Sequence, residues 1–277
     1  MNAQTELCGG DLLYNVDGAV AWITLNRPQF ANALTPAQRN TIIELLRDCD
    51  HDRSVRAIVV RATGKHFCGG ADLRVERPEI EEGLETPTGR VSGTVMKAIS
   101  YGVSQLIVAL QDCQKPIVAS VQGTAAGIGV QLAIASDIVL MAEGASFIEI
   151  FVKRGIIADG GAAYLLPRLA GVMRAKELLL LGDRITAPKA LEFGLATRVV
   201  PLDQLDGLTE EIALMLAAGP TVAVGLMKRL ANRALDVDRG TSFFEESLAQ
   251  ETANATVDAR EGIASFVEKR TTEYRGY

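Results

Sequence analysis

The chain has 277 residues, 48% of them apolar, and a formal net charge of −6. That length suits one large domain, or a core with a small appendage, and the apolar content can fill a sizeable core and argues against bulk disorder. The acidic balance offers no general attraction to nucleic acid or to anionic membranes. Cys8, Cys49, Cys68 and Cys113 are widely separated, with no CxxC and no histidine at metal spacing. They read as reduced thiols, and no metal is expected. The opening stretch MNAQTELCGGDLLY has no Arg and no apolar h-region, so neither a secretory signal nor a transit peptide is expected. No apolar run approaches the roughly 20 residues of a membrane span. The expected location is the cytoplasm.

Residues 11–26 read as two strands, DLLYNVD and AVAWITLN, around Gly18. NRPQFANALTP is a loop, and a helix begins after Thr35, with Pro36 in its first turn, and runs to about Asp50. RAIVVRA is a short buried strand rich in β-branched residues. The turn GKHFCGGADL follows it. Residues 74–92, with Pro78, Pro87 and many charges, read as a surface loop that could be a lid or a plain insertion. A helix then runs to about Asp112. KPIVASVQG is a strand, GIGVQLAIAS has helical spacing, and DIVLMAE is another strand. This alternation of strand, Gly-rich loop and helix argues for an α/β architecture with crossover helices. From about 160 onward helices dominate, interrupted by the short strand ATRVV, and 203–277 reads as helical throughout. Its apolar faces are too large to leave uncovered, which points to a packing neighbour.

Two Gly-rich turns are the informative features. They are Cys68-Gly69-Gly70-Ala71-Asp72-Leu73 and Gly123-Thr124-Ala125-Ala126-Gly127-Ile128-Gly129. Each follows an apolar strand, and the second opens a helix, where unpaired N–H groups are available. Two such turns from neighbouring strands could aim two amides at one oxygen, as in an oxyanion hole. Gly-rich turns after strands are common, and most are only structural. The spacing is neither the G-x-G-x-x-G of a dinucleotide site nor a P-loop, since no Ser or Thr follows Lys65.

The turns sit within a longer set of matching segments. These are ITLNRPQFANAL (23–34), GKHFCGGADL (64–73), KPIVASVQGTAAGIGVQLAIASDIVLMAEGASF (115–147), LPRLAG (166–171), LLLLGDRITAPKALEFGLATRVV (178–200) and EGIASFVEKR (261–270). On these residues the chain resembles the crotonase superfamily, the enoyl-CoA hydratase/isomerase family, nearly end to end. The resemblance implies a spiral of ββα units over residues 1–200 and a C-terminal helical region over 201–277 that serves oligomerisation and covers the site. It also implies a homotrimer or a dimer of trimers and an acyl-CoA thioester substrate. Coenzyme A would enter as part of that substrate, with no further cofactor.

Carried over by position, the resemblance assigns the thioester oxygen to the backbone N–H groups of Ala71 and Ile128, flanked by Gly70 and Gly127. The two glutamates with which hydratases of the family activate water fall at Gln131 and Phe151. A Gln amide is no proton carrier at neutral pH, and Phe has no proton to carry. Asp159, eight residues after Phe151 in RGIIADGGAAYLLPRL, stands where several family members place a catalytic aspartate. The surrounding stretch resembles the ring-opening isomerases of phenylacetyl-CoA catabolism, in which that aspartate is the proton shuttle. Asp before Gly-Gly-Ala-Ala is also a good helix N-cap, the plainer reading of Asp159.

Other acids were weighed against it. Glu149 lies two residues before Phe151, on the same face of a strand, and a small shift of register would make it the acid. The ungapped match of Phe147 and Gly155 places it second. Glu143 reads as a turn residue, Asp72 as structural, His66 as a loop residue and Cys68 as packing without a base. For the CoA phosphates, Arg27, Lys65 and Arg74 lie near the matching turns. Phe266 and Lys269 resemble C-terminal residues that contact the CoA of a neighbouring subunit, though Lys269 reads equally as a solvated helix charge. The leading expectation is an enoyl-CoA isomerase using Asp159. The alternatives are an atypical enoyl-CoA hydratase, nucleophilic aspartate chemistry on an aryl-CoA, and a non-catalytic acyl-CoA-binding paralogue.

Overall fold

A computed structural model describes residues 4–74 and 93–277. The expected surface loop over 74–92 thus lies outside the described residues, apart from Arg74. The architecture is α/β and rests on a seven-stranded sheet in the order β1-β2-β3-β4-β5-β7-β10. Its strands are β1 (Thr5–Leu7), β2 (Leu12–Asp17), β3 (Val20–Leu25), β4 (Ala57–Ala62), β5 (Ile117–Val121), β7 (Ile138–Ala142) and β10 (Arg198–Val200). The first three run antiparallel, and β3, β4, β5, β7 and β10 are mutually parallel. The parallel strands β4 and β5 read as continuous apolar runs because both of their faces are covered. Ile58, Val59, Val60, Ile117, Val118 and Ala119 are all fully buried.

A smaller sheet, β6 (Thr124–Ala126), β8 (Ser146–Ile148) and β9 (Arg184–Thr186), stands beside the large one. Sequence reading treated the stretch at β8 as a strand and did not assign β1, β6 or β9. Each has only three residues, too few for period-two alternation to show.

Helix α1 (Pro36–His51) starts where Thr35 and Pro36 place it. Thr35 caps it by accepting from the Gln38 N–H at 3.2 Å, and Gln38 Oε1 accepts the Thr35 N–H at 3.0 Å. This reciprocal box satisfies two otherwise orphan donors. Helix α1 buries Ile42, Ile43, Leu46 and Cys49. The expected helix ending at Asp112 is present as α2 (Thr94–Ala98), a π-helical segment (Ile99–Val103) and α3 (Ser104–Asp112). Beyond it come α4 (Ile128–Ile134), α5 (Ala162–Ala170), α6 (Val172–Leu181) and α7 (Ala187–Glu192).

The last helices are α8 (Leu202–Ala218), α9 (Thr221–Arg233), α10 (Arg239–Asn254) and α11 (Val257–Glu268). Helix α8 packs on β3, β4, β5 and β7, where Thr209 Oγ1 bonds Ser120 Oγ at 2.9 Å. The expectation of helix throughout 203–277 fails at the end, because residues 270–277 form no helix. Their backbone is held instead by Asp258, whose carboxylate accepts the N–H groups of Arg275 and Gly276 at 2.6 and 2.8 Å. Lys269, at φ 55°, ends α11 in the left-handed region, which turns the chain out of the helix. Among the described residues no single helix is long and apolar enough to cross a membrane.

Candidate active site

The two Gly-rich turns meet edge to edge. Cys68 and Ala125 form a parallel bridge, with Cys68 N donating to Thr124 O at 3.2 Å and Ala126 N to Cys68 O at 2.9 Å. On its other side the first turn is stitched to the loop after β3. Gly69 N donates to Ala31 O, Leu34 N to Gly70 O and Asp72 N to Leu34 O, at 2.8 to 3.0 Å. Buried Asn32 ties that loop down, with Nδ2 donating to Thr63 O and His66 O and Oδ1 accepting from Arg27 N.

Glycine is required at two points. A Cβ at Gly129 would lie 2.4 Å from the Cys68 carbonyl oxygen, so only glycine lets α4 approach the first turn this closely. Gly127 has φ 52° and ψ −126°, a backbone conformation that a side chain makes costly. These constraints leave the Ala71 N–H just past Gly70 and the Ile128 N–H at the first position of α4. Among the described residues neither amide has a hydrogen-bond acceptor. Two free amides on adjoining turns are what an oxyanion hole needs.

Phe151 and the chain at Gly160 close in on the start of α4. Phe151 is buried, and its ring edge lies 3.5 Å from where a Cβ on Gly127 would stand. The backbone at Gly160 passes directly over Ile128 and Gln131, whose Cδ1 and Cγ lie 2.7 and 3.7 Å from a Cβ placed on that glycine. Asp159 immediately precedes Gly160, and its charge acts on Glu149. It does not cap α5. The N-cap is Gly161, and the only bond from Asp159 to that helix start is its backbone oxygen accepting Ala162 N. Among the described residues its carboxylate has no hydrogen-bond or ion-pair partner, and burial raises its pKa above the ordinary aspartate value.

Glu149 adds a second acid that sequence reading placed behind Asp159. It follows β8, is 3% exposed, and Gln131 Nε2 donates to its Oε1 at 2.7 Å. Among the described residues the other carboxyl oxygen of Glu149 and the amide oxygen of Gln131 are buried without a partner. Burial pushes the Glu149 carboxyl up to about 8. The Gln131 bond opposes the shift and the Asp159 charge adds to it. The signal in the sequence was the alternation Phe147, Ile148, Glu149, which points the acid inward with Phe147.

The remaining expected residues fall outside this cluster. Arg27 is fully engaged, with ion pairs to Asp11 at 3.1 Å and Asp72 at 2.6 Å and a bond to Ala33 O. Its guanidinium and that of Arg74, which also pairs with Asp72, both stack on the Phe30 ring, at 4.4 and 3.8 Å. Arg74 first, with Arg27, holds the Asp72 carboxyl well below the usual range, so this acid is structural. Lys65 is exposed beside the second turn, and its backbone oxygen abuts Gly123. His66 Nδ1 accepts from Thr124 N at 3.3 Å, so it braces that turn. Burial pushes the Cys68 thiol up to about 11, consistent with packing. Glu143 is exposed in the turn after β7. Phe266, 84% exposed, and Lys269 lie at the end of α11, and no hydrogen bond or ion pair joins them to the two turns.

Comparison with known proteins places this geometry. The enoyl-CoA hydratase/isomerase family model matches residues 15–277. The chain belongs to that family and has the crotonase fold. It is 33% identical over 265 residues to the 1,2-epoxyphenylacetyl-CoA isomerase of Escherichia coli K12, covering 96% of this chain and 98% of that one. It is 31% identical to the short-chain-enoyl-CoA hydratase of Clostridium acetobutylicum, covering 95% and 97%. Among solved structures, an enoyl-CoA hydratase of Mycobacterium smegmatis superposes with a TM-score of 0.86 at 30% identity, covering 95% and 98%.

Proposed function

We propose that the protein shifts a carbon–carbon double bond in an enoyl-CoA thioester, with Asp159 as the acid–base group. The observation that carries this reading is the Asp159 carboxylate itself. Among the described residues it is half-buried, unpartnered and not spent on a helix cap, its charge acts on Glu149, and the next residue, Gly160, lies against Ile128. A thioester oxygen seated between the Ala71 and Ile128 amides would share the charge of an α-carbanion. An α-proton of the acyl group thereby becomes acidic enough for a carboxylate to take. Each such donor contributes roughly 3–4 kcal/mol to lowering the barrier. Phe151 excludes water from one side, and the raised pKa of Asp159 brings it nearer to a proton exchanger at neutral pH.

Hydration is the second reading. The two unpartnered acceptors, Gln131 Oε1 and Glu149 Oε2, would suit the two hydrogens of one water molecule. Incubation with matched 2-enoyl- and 3-enoyl-CoA esters separates the two readings. Interconversion supports the double-bond shift, and addition of one water mass supports hydration. For assembly we propose a homotrimer, alone or paired as a hexamer. Phe243, Phe244 and Phe266, all more than half exposed in the single chain, support a covering neighbour. Native mass spectrometry tests this, and a monomer would refute it.

A further inference from the structure

Asp159 works alone in the reading above, yet a second carboxyl group lies close enough to feel its charge. Gln131 lies one helical turn beyond Ile128 on α4, so both side chains face the same way. Both touch the backbone at Gly160, directly after Asp159. Gln131 in turn grips Glu149 Oε1 and leaves Oε2 buried and unpartnered. A charged carboxylate in that state would lack solvent and have its one donor on Oε1 alone, a costly arrangement. A proton on Oε2 removes the cost and turns the orphan oxygen into a donor. Among the described groups, Asp159 is the one whose charge acts on Glu149. Arg184, on β9 opposite Ile148, is held by Thr124 and Ser146, and Lys153, near Gly182, pairs with Asp183. Among the described residues no cation acts on Glu149 to keep it ionised.

We propose that Glu149, oriented by Gln131, is the second proton-carrying group of this site and returns a proton to the acyl chain at the carbon that Asp159 does not serve. The inference rests on the double-bond shift proposed above. For a 3-enoyl-CoA, Asp159 takes the α-proton, and the C–H electron pair spreads over the dienolate to the thioester oxygen. The γ-carbon then forms its new C–H bond with the Glu149 proton. The electron pair re-forms the thioester carbonyl and leaves an α,β double bond. Glu149 ends as carboxylate and Asp159 as carboxylic acid, and one proton passing between them restores the start. The substrate class this division suits is a β,γ-unsaturated acyl-CoA, with Asp159 serving its α-carbon and Glu149 its γ-carbon.

The test is the Glu149→Gln variant of the full chain, incubated with a 3-enoyl-CoA in deuterated water beside the unaltered protein. Exchange of the α-proton in recovered substrate should persist near its original rate, because Asp159 performs it. Conversion to the 2-enoyl ester should fall about 100-fold or more. The alkaline limb of the pH–rate profile, expected near about 8, should disappear. Conversion within about threefold of the original rate overturns the proposal. So does loss of exchange together with conversion, since Glu149 would then not be confined to the second step. An unaltered protein that neither exchanges nor converts 3-enoyl esters overturns the double-bond shift itself. Infrared spectra of the free protein provide a readout independent of turnover. A protonated-carboxyl band at neutral pH should vanish in Glu149→Gln, and a band unchanged by the substitution overturns the protonated state.

Discussion

Glu149 should make the protein less stable as pH rises, and Glu149→Gln should remove that dependence. The ordinary glutamate value of 4.5 is raised to about 8 in the fold, mainly by burial. Between those values the native chain keeps a proton that the unfolded chain releases. Stability contributed at low pH is therefore lost progressively as pH climbs from about 4.5 towards about 8. One pKa unit corresponds to about 1.4 kcal/mol, so the loss by pH 8 is on the order of 4 kcal/mol. With 3% exposure, solvent screening does little to reduce this. The glutamine side chain has the same shape and can still accept from Gln131 Nε2. Urea unfolding at pH 5, 7 and 8.5 checks the expectation. The two proteins should match near pH 5 within about 1 kcal/mol, and the variant should be the more stable by roughly 3 kcal/mol at pH 7 and above. Parallel stability curves over this range would refute a neutral buried Glu149.

Two further substitutions probe the frame around the site. Gly129→Ala places a Cβ 2.4 Å from the Cys68 carbonyl oxygen and 2.8 Å from Cys68 Cβ, which forces the two turns apart. It should cost roughly 1–3 kcal/mol of stability and, in the folded fraction, weaken acyl-CoA binding measured by calorimetry. Unchanged affinity would separate the turns from the oxyanion hole. Asn32→Ala strands Thr63 O, His66 O and Arg27 N together. It should lower unfolding stability by roughly 2–4 kcal/mol, and a loss below about 0.5 kcal/mol would show that water replaces the amide fully.

Much of this architecture was legible because periodicity and caps acted locally. Thr35 and Pro36 set the start of α1, and the β-branched runs at 57–62 and 117–121 could be buried only as parallel strands. The two Gly turns were legible as turns, but their contact is a tertiary fact carried by the Cys68–Ala125 bridge. Strands β6, β8 and β9 exist only through such pairings, and their own residues say little. Asp159 was ambiguous for a local reason. Asp-Gly-Gly-Ala-Ala reads as a cap, but Gly160 and Gly161 both take positive φ, so the helix starts two residues later than a cap at Asp159 would need. Arg27 was chosen for its place near the loop, and its pairing with Asp11 and Asp72 depends on chain segments far apart in sequence. Glu149 ranked second because matching by position counts residues along the chain. The side chain reaches Gln131, 18 positions earlier in the chain.

The most direct test of the central claim is the conversion of a 3-enoyl-CoA in deuterated water by the Asp159→Asn variant, followed by mass spectrometry. Loss of both α-exchange and double-bond migration, with acyl-CoA affinity retained, is the result expected if Asp159 takes the proton while Ala71 and Ile128 hold the enolate. Exchange and migration at the original rates in that variant would contradict it.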